Sequence, residues 1–77
     1  MIDDKLQDTL RRVLRLPDLV VDDNTKAHDV PGWDSLRHVE VLLEVQRAYG
    51  VRFRSTEVIR LKSVGELQAL VHAKLQG

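Results

Sequence analysis

The stretch VPGWDSLRHVE, residues 30–40, decides the fold of this chain. Its proline and glycine are typical of a loop, Asp34 is a preferred N-cap residue, and a segment with helical apolar spacing follows at once. The pattern predicts a helix over 35–49 that ends at Gly50. Ser35 is therefore expected in the first turn, where free backbone N–H groups and the helix dipole favour an anion. A phosphate ester on Ser35 would be stabilised in that position.

Three further helices are predicted around this one. Apolar residues at helical spacing indicate a first helix over about 3–16, which Pro17 ends. A short helix is expected to begin at Ser55 or Thr56 and to end at about Leu61. The last helix begins with a capping box formed by Ser63 and Glu66. Its apolar face is expected to contain Leu67, Leu70, Val71 and Leu75.

The predicted elements indicate an all-α fold, a small bundle of three longer helices and one short helix. Residues 17–33 form a long first loop between the first two helices. A chain of 77 residues is expected to form one domain, 1–77. The sequence contains no cysteine, which excludes disulfides and zinc–thiolate sites as sources of stability.

Composition argues against several classes of function. Twelve basic and twelve acidic residues cancel, so the global attraction that nucleic-acid binders need is absent. Apolar runs stay far below the ~20 residues of a membrane span, and the N-terminus lacks signal-peptide features, so a cytoplasmic protein without membrane contact is expected. A calcium loop after Asp22 is not expected because Ala27 stands where glycine is required. No metal site is predicted.

The helix over 35–49 carries more apolar surface than a core contact buries. At 100° per residue its apolar positions cover an arc of roughly 220°. Part of this arc is expected to meet a partner, unless the first loop covers it. The predicted docking surface contains Leu36, Val39 and Leu43, flanked by Arg37, Glu40, Glu44 and Arg47.

The motif Asp34-Ser35-Leu36, followed by an apolar and acidic helix, resembles the acyl and peptidyl carrier proteins. The similarity continues through three blocks at the family's spacing, 39–43, 49–53 and 63–67. The resemblance implies a bundle of the acyl-carrier-protein type and a 4′-phosphopantetheine group bound covalently to Ser35. It also implies that Asp34 and Leu36 belong to the cofactor-binding site.

By this resemblance the protein is a substrate of a phosphopantetheinyl transferase, which uses coenzyme A, and is not an enzyme. It would carry an acyl or aminoacyl intermediate as a thioester and meet acyl-loading and acyl-processing enzymes, as a monomer. Its neutral charge departs from strongly acidic fatty-acid carriers. This favours a specialised pathway that makes a polyketide, a nonribosomal peptide or an unusual fatty acid. The alternative is a non-catalytic helical module for protein–protein interaction.

Three further expectations concern the surroundings of Ser35. His38 is the nearest candidate base, but the sequence lacks a nucleophile-elbow pattern, so hydrolase chemistry is not expected. The ring of Trp33 is expected to pack against the loop. A slot for cargo, if the second and third helices part, would be lined by Val39, Val58 and Ile59.

Overall fold

The computed structural model describes residues 2–76, and within them the chain forms four α-helices, as predicted. One 3-10 turn lies in the long first loop, at Ala27–Asp29. No helix in residues 2–76 combines the length and the apolar character that crossing a membrane requires. The helices are α1 (Asp4–Leu14), α2 (Ser35–Tyr49), α3 (Ser55–Val58) and α4 (Val64–Gln76).

Helix α1 is shorter than predicted at both ends. Asp3 is its N-cap and not its first residue, and Arg15 adopts a left-handed conformation, with φ 57°, that ends the helix. The backbone N–H of Leu16 then donates to the carbonyl oxygen of Arg11 at 3.0 Å. The prediction that the helix reaches Leu16 is wrong because a residue before proline, here Pro17, is disfavoured in the α conformation.

Helix α3 ends at Val58, so the predicted extension to Leu61 is wrong. Glu57 caps the helix by accepting from the backbone N–H of Arg54 at 2.7 Å. Ile59 follows in an exposed turn, with 79% of its surface accessible, and Leu61 packs against the core. The apolar spacing of this segment therefore reflects a turn that carries Leu61 inward and not a continuing helix.

The core is formed chiefly by one face of each long helix. Leu10 of α1 and Val41 of α2 have no accessible surface, and Val71 of α4 is equally buried. Leu70 is only partly buried and lies outside the buried cluster, and Leu75 is 53% exposed, so two of the four predicted core positions of α4 are wrong.

The orientation of α4 follows from a polar contact inside the molecule. Gln68 is buried, and its side chain accepts from the backbone N–H of Asp3 at 2.8 Å and donates to the Asp3 carboxylate at 3.0 Å. The Tyr49 hydroxyl at the end of α2 donates to the same carboxylate at 2.5 Å. Asp3 thereby joins the start of α1 to α2 and α4. Gln68 therefore occupies a buried position of α4 with its polar atoms paired, while Leu70 is only partly buried.

These contacts shift the acidity of both partners. Burial raises the pKa of Asp3, but hydrogen bonds from Tyr49, the Leu6 backbone, Gln68 and His72 together outweigh burial and hold it below its ordinary value. Burial, followed by the hydrogen bond and the charge of Asp3, raises the pKa of Tyr49 well above its ordinary value. The carboxylate is therefore the stable form of Asp3 in the folded protein.

The first loop is attached to the N-terminus of α4 by its backbone. Val64 donates to the carbonyl oxygen of Thr25 at 2.8 Å, and Gly65 donates to that of Asp23 at 3.1 Å. A Cβ atom on Gly65 would lie 2.6 Å from this second oxygen, so the approach requires glycine. These bonds use helix N–H groups that have no partner within the helix, and they hold the loop that leads to Ser35.

Candidate functional site

Ser35 is the first residue of α2 and is exposed. Asp34 caps the helix: its carboxylate accepts from the backbone N–H of Arg37 at 2.8 Å, and its carbonyl oxygen accepts from that of His38 at 2.8 Å. Gly32, with φ 82°, makes the turn before the cap. The chain therefore presents the Ser35 hydroxyl at a corner between the first loop and α2.

This corner is suited to a phosphate group attached to Ser35. Within residues 2–76, the backbone N–H groups of Ser35 and Leu36 make no hydrogen bond, as is usual for the first residues of a helix. These N–H groups lie at the N-terminus of α2, which is the positive end of the helix dipole and favours an anion. The donors fit a phosphodiester, because its oxygens accept hydrogen bonds and carry negative charge. No grouping of three potential metal ligands occurs in the described part of the chain.

Trp33 and His38 form a pair beside Ser35 that the sequence analysis did not identify. The indole N–H of Trp33 donates to Nδ1 of His38 at 3.1 Å, and the ring centroids lie 6.0 Å apart. A ring whose Nδ1 accepts is neutral and carries its proton on Nε2. Neither nitrogen is then free to take the Ser35 proton, which removes His38 as a general base. In the sequence, the only indication of this pair is that Trp33 and His38 stand five residues apart, on either side of the N-cap Asp34.

Trp33 also packs against the hydrophobic core and lines a small apolar cavity. The cavity has a volume of about 40 Å³, and its other walls include His38, Leu42, Leu61 and Leu67. It lies between α2, the start of α4 and the first loop.

The predicted cargo slot differs from this cavity. Val39 is 54% exposed and Ile59 is 79% exposed, and neither these residues nor Val58 line the cavity. The slot was expected only if α2 and α3 part, and in this conformation Val39, Val58 and Ile59 do not enclose one.

The three apolar residues of the predicted docking surface all lie exposed on α2. Leu36, Val39 and Leu43 are 68%, 54% and 56% accessible, whereas Val41 and Val45 on the other face have no accessible surface. The first loop does not cover them. We call Leu36, Val39 and Leu43 the α2 strip.

The charged residues beside the α2 strip are paired with each other. Arg37 contacts the carboxylate of Glu40 at 3.2 Å. Glu44 contacts Arg47 at 3.3 Å and also Arg12 of α1 at 3.2 Å. The contact between Arg12 and Glu44 depends on the packing of α1 against α2 and could not be predicted from the sequence. The two acidic side chains of α2 are thereby neutralised within the molecule.

Comparisons with known proteins agree with this geometry. The profile of a family described as "Phosphopantetheine attachment site" matches residues 4–71. The chain is similar to a holo acyl carrier protein from Geobacter metallireducens, solved in solution by NMR, with 34% sequence identity and a TM-score of 0.89. The alignment covers 95% of this chain and 84% of that one. A comparison with curated proteins gave no significant match.

Proposed function

The chain belongs to the family of non-catalytic carrier proteins with a phosphopantetheine attachment site, and from this premise we propose that Ser35 is the attachment residue. The observation that carries the proposal is the exposed Ser35 hydroxyl at the capped N-terminus of α2, beside two free backbone N–H groups. The position lies inside the matched residues 4–71.

In the proposed modification, a phosphopantetheinyl transferase brings coenzyme A to Ser35. The hydroxyl oxygen forms a bond to the phosphorus that bears pantetheine, the phosphoanhydride bond breaks, and the nucleotide leaves as a bisphosphate. The hydroxyl proton passes to a base of the transferase, because the Nδ1 lone pair of His38 already accepts from the Trp33 indole. When bound, 4′-phosphopantetheine supplies the thiol that holds the acyl or aminoacyl group.

The neighbouring residues have distinct roles in this proposal. Asp34 positions Ser35 by capping α2, and it is exposed at the corner, where the transferase can contact it. Leu36 offers an apolar contact next to the attachment point. The rest of the α2 strip, with Arg37, Glu40, Glu44 and Arg47, is the surface for the transferase and for acyl-loading and acyl-processing enzymes.

We place the protein in a specialised biosynthetic pathway for a polyketide, a nonribosomal peptide or an unusual fatty acid. The support is electrostatic: the chain has no net charge, and Glu40 and Glu44 are already paired with arginines. A partner with a strongly basic docking surface would gain little from such a face. We propose that residues 1–77 act as one carrier domain, which the shared hydrophobic core of residues 2–76 supports, and that the protein is a monomer.

The proposal is tested by the intact mass of the purified protein after incubation with coenzyme A, magnesium and a broad-specificity transferase. We expect one phosphopantetheine addition to the wild-type protein and none to Ser35→Ala. Ser55→Ala is the matched control, because Ser55 is likewise an exposed first residue of a helix, α3, and its loss should leave the addition intact.

Absence of any addition to a folded wild-type protein would contradict the proposal. The second candidate, a helical interaction module, would then be favoured, because the α2 strip is an exposed apolar face that suits partner binding without a cofactor. Addition to Ser35→Ala would instead show that another residue is the attachment site.

A further inference from the structure

We propose that Trp33, which lies two residues before Ser35 and is bonded to His38, closes the apolar cavity between α2, the start of α4 and the first loop, so that the protein carries short or polar acyl groups in solvent and does not bury long alkyl chains. This inference deepens the proposed function and rests on it. It assigns to Trp33 a role in specificity toward cargo.

The size of the cavity is the first argument. A cavity needs about 10–15 Å³ of volume open to the centre of a water molecule in order to hold one water. The observed volume of about 40 Å³ therefore has room for about three waters. An alkyl chain of six or more methylenes does not fit unless a wall residue moves.

The wall residue nearest to Ser35 along the chain supplies the second argument. Trp33 lies two residues before Ser35 and contributes to both the cavity and the core. Its indole N–H is bonded to His38 at 3.1 Å, and its backbone N–H donates to the carbonyl oxygen of Val30 at 3.2 Å. Displacing the ring breaks the indole hydrogen bond and exposes apolar surface, and both effects oppose opening.

The remaining apolar walls offer no easier entrance; the exposed Lys62 also lines the cavity. Leu42 of α2 and Leu61 after α3 are both packed against the core, and Leu67 of α4 is 4% exposed. The start of α4 is held to the first loop by the backbone bonds of Val64 and Gly65. Widening the cavity from this side requires movement of whole segments, whereas Trp33 is a single side chain.

The experiment compares two covalently loaded forms of the full chain. The transferase attaches acetyl-phosphopantetheine or octanoyl-phosphopantetheine from the corresponding acyl-coenzyme A, and intact mass confirms loading. The melting temperature of each form is then measured by circular dichroism. Burial of only two of the six extra methylenes of octanoyl would raise Tm by about 6 to 13 °C.

For the wild-type protein we expect the two loaded forms to melt within about 2 °C of each other, a difference well below that of two buried methylenes. The emission of Trp33, the only tryptophan of the chain, should also be the same in both forms. In Trp33→Leu, which removes the ring, octanoyl should raise Tm above that of the acetyl form by about 6 °C or more. His38→Ala frees the indole and should show a smaller rise.

A rise of Tm by 6 °C or more in the octanoyl wild-type form would overturn the inference, because the cavity would then open despite Trp33. Equal Tm values for both forms in Trp33→Leu would also overturn it, since Trp33 would not be the closing residue. If Trp33→Leu does not fold, the acetyl and octanoyl forms of His38→Ala are compared instead, and equal Tm values there would overturn the inference. Failure of loading itself contradicts the proposed function and is seen first, in the mass spectrum.

Discussion

Replacement of Asp3 by alanine is expected to destabilise the protein far more than a surface substitution does. One carboxylate caps α1 at the Leu6 backbone N–H, at 2.8 Å, and accepts from Tyr49 and Gln68 at 2.5 and 3.0 Å. Asp3→Ala removes all three contacts at once. The three helices lose the connection made by this carboxylate, while the backbone N–H of residue 3 can still donate to Gln68.

The magnitude follows from the separate contributions. Loss of an N-cap costs about 1 kcal/mol, and loss of a hydrogen bond to a charged group costs about 1.5–3 kcal/mol. The Asp3 side chain is 41% exposed, so water replaces part of what is lost. We expect the free energy of unfolding to fall by about 2–4 kcal/mol, out of about 4–12 kcal/mol for 77 residues. The corresponding drop in Tm is about 8–30 °C.

Urea denaturation followed by circular dichroism measures this change, and two variants separate its parts. Asp3→Asn retains an N-cap acceptor without charge, so it should lose about 1 kcal/mol less than Asp3→Ala. Tyr49→Phe removes only the hydroxyl and should cost about 1–2 kcal/mol. A loss below ~0.5 kcal/mol in Asp3→Ala would refute the argument that this carboxylate connects the helices.

The pH dependence supplies an independent check. The pKa of Asp3 is lower in the folded protein than in the unfolded chain, so the unfolded chain binds more protons at acid pH. The stability from Asp3 is fully present above the unfolded pKa of about 4 and is lost as pH falls through the folded pKa. The stability difference between the wild-type protein and Asp3→Asn should therefore shrink between pH 7 and pH 3. A constant difference would contradict this assignment.

Three further predictions use other contacts. Leu10→Ala should lower the free energy of unfolding by about 2–5 kcal/mol, whereas Leu36→Ala on the exposed face should change it by less than ~0.5 kcal/mol in the same urea melts. Gly65→Ala should lower Tm despite the better helix propensity of alanine, because the added Cβ would lie 2.6 Å from a loop carbonyl oxygen; an unchanged or higher Tm would show that the loop shifts freely. The hydrogen bond from Lys74 at 2.8 Å lowers the pKa of Glu57, so Lys74→Ala should raise that pKa toward its ordinary value in an NMR titration.

Features that depend on neighbours in the chain were predictable. Helix α2 begins at Ser35 and ends at Tyr49 as predicted, because the cap at Asp34 and the left-handed Gly50, with φ 66°, act within one helical turn. The exposure of the α2 strip followed from an apolar arc wider than a core contact. The link between Ser63 and Glu66 at the start of α4 is local in the same way.

Features that depend on distant segments required the tertiary structure. Leu70 matched the apolar period of α4, yet Gln68 is the residue that is buried. Its partner Asp3 lies 65 residues away in the chain, so the sequence pattern of α4 alone could not indicate this pairing. The pairing of Trp33 with His38 depends on the path of the turn before α2. The sequence by itself determined where α2 and the corner that presents Ser35 lie, since caps and turns use local hydrogen bonds. The packing of α1, α2 and α4 decided which side chains are buried and how small the cavity lined by Trp33 is.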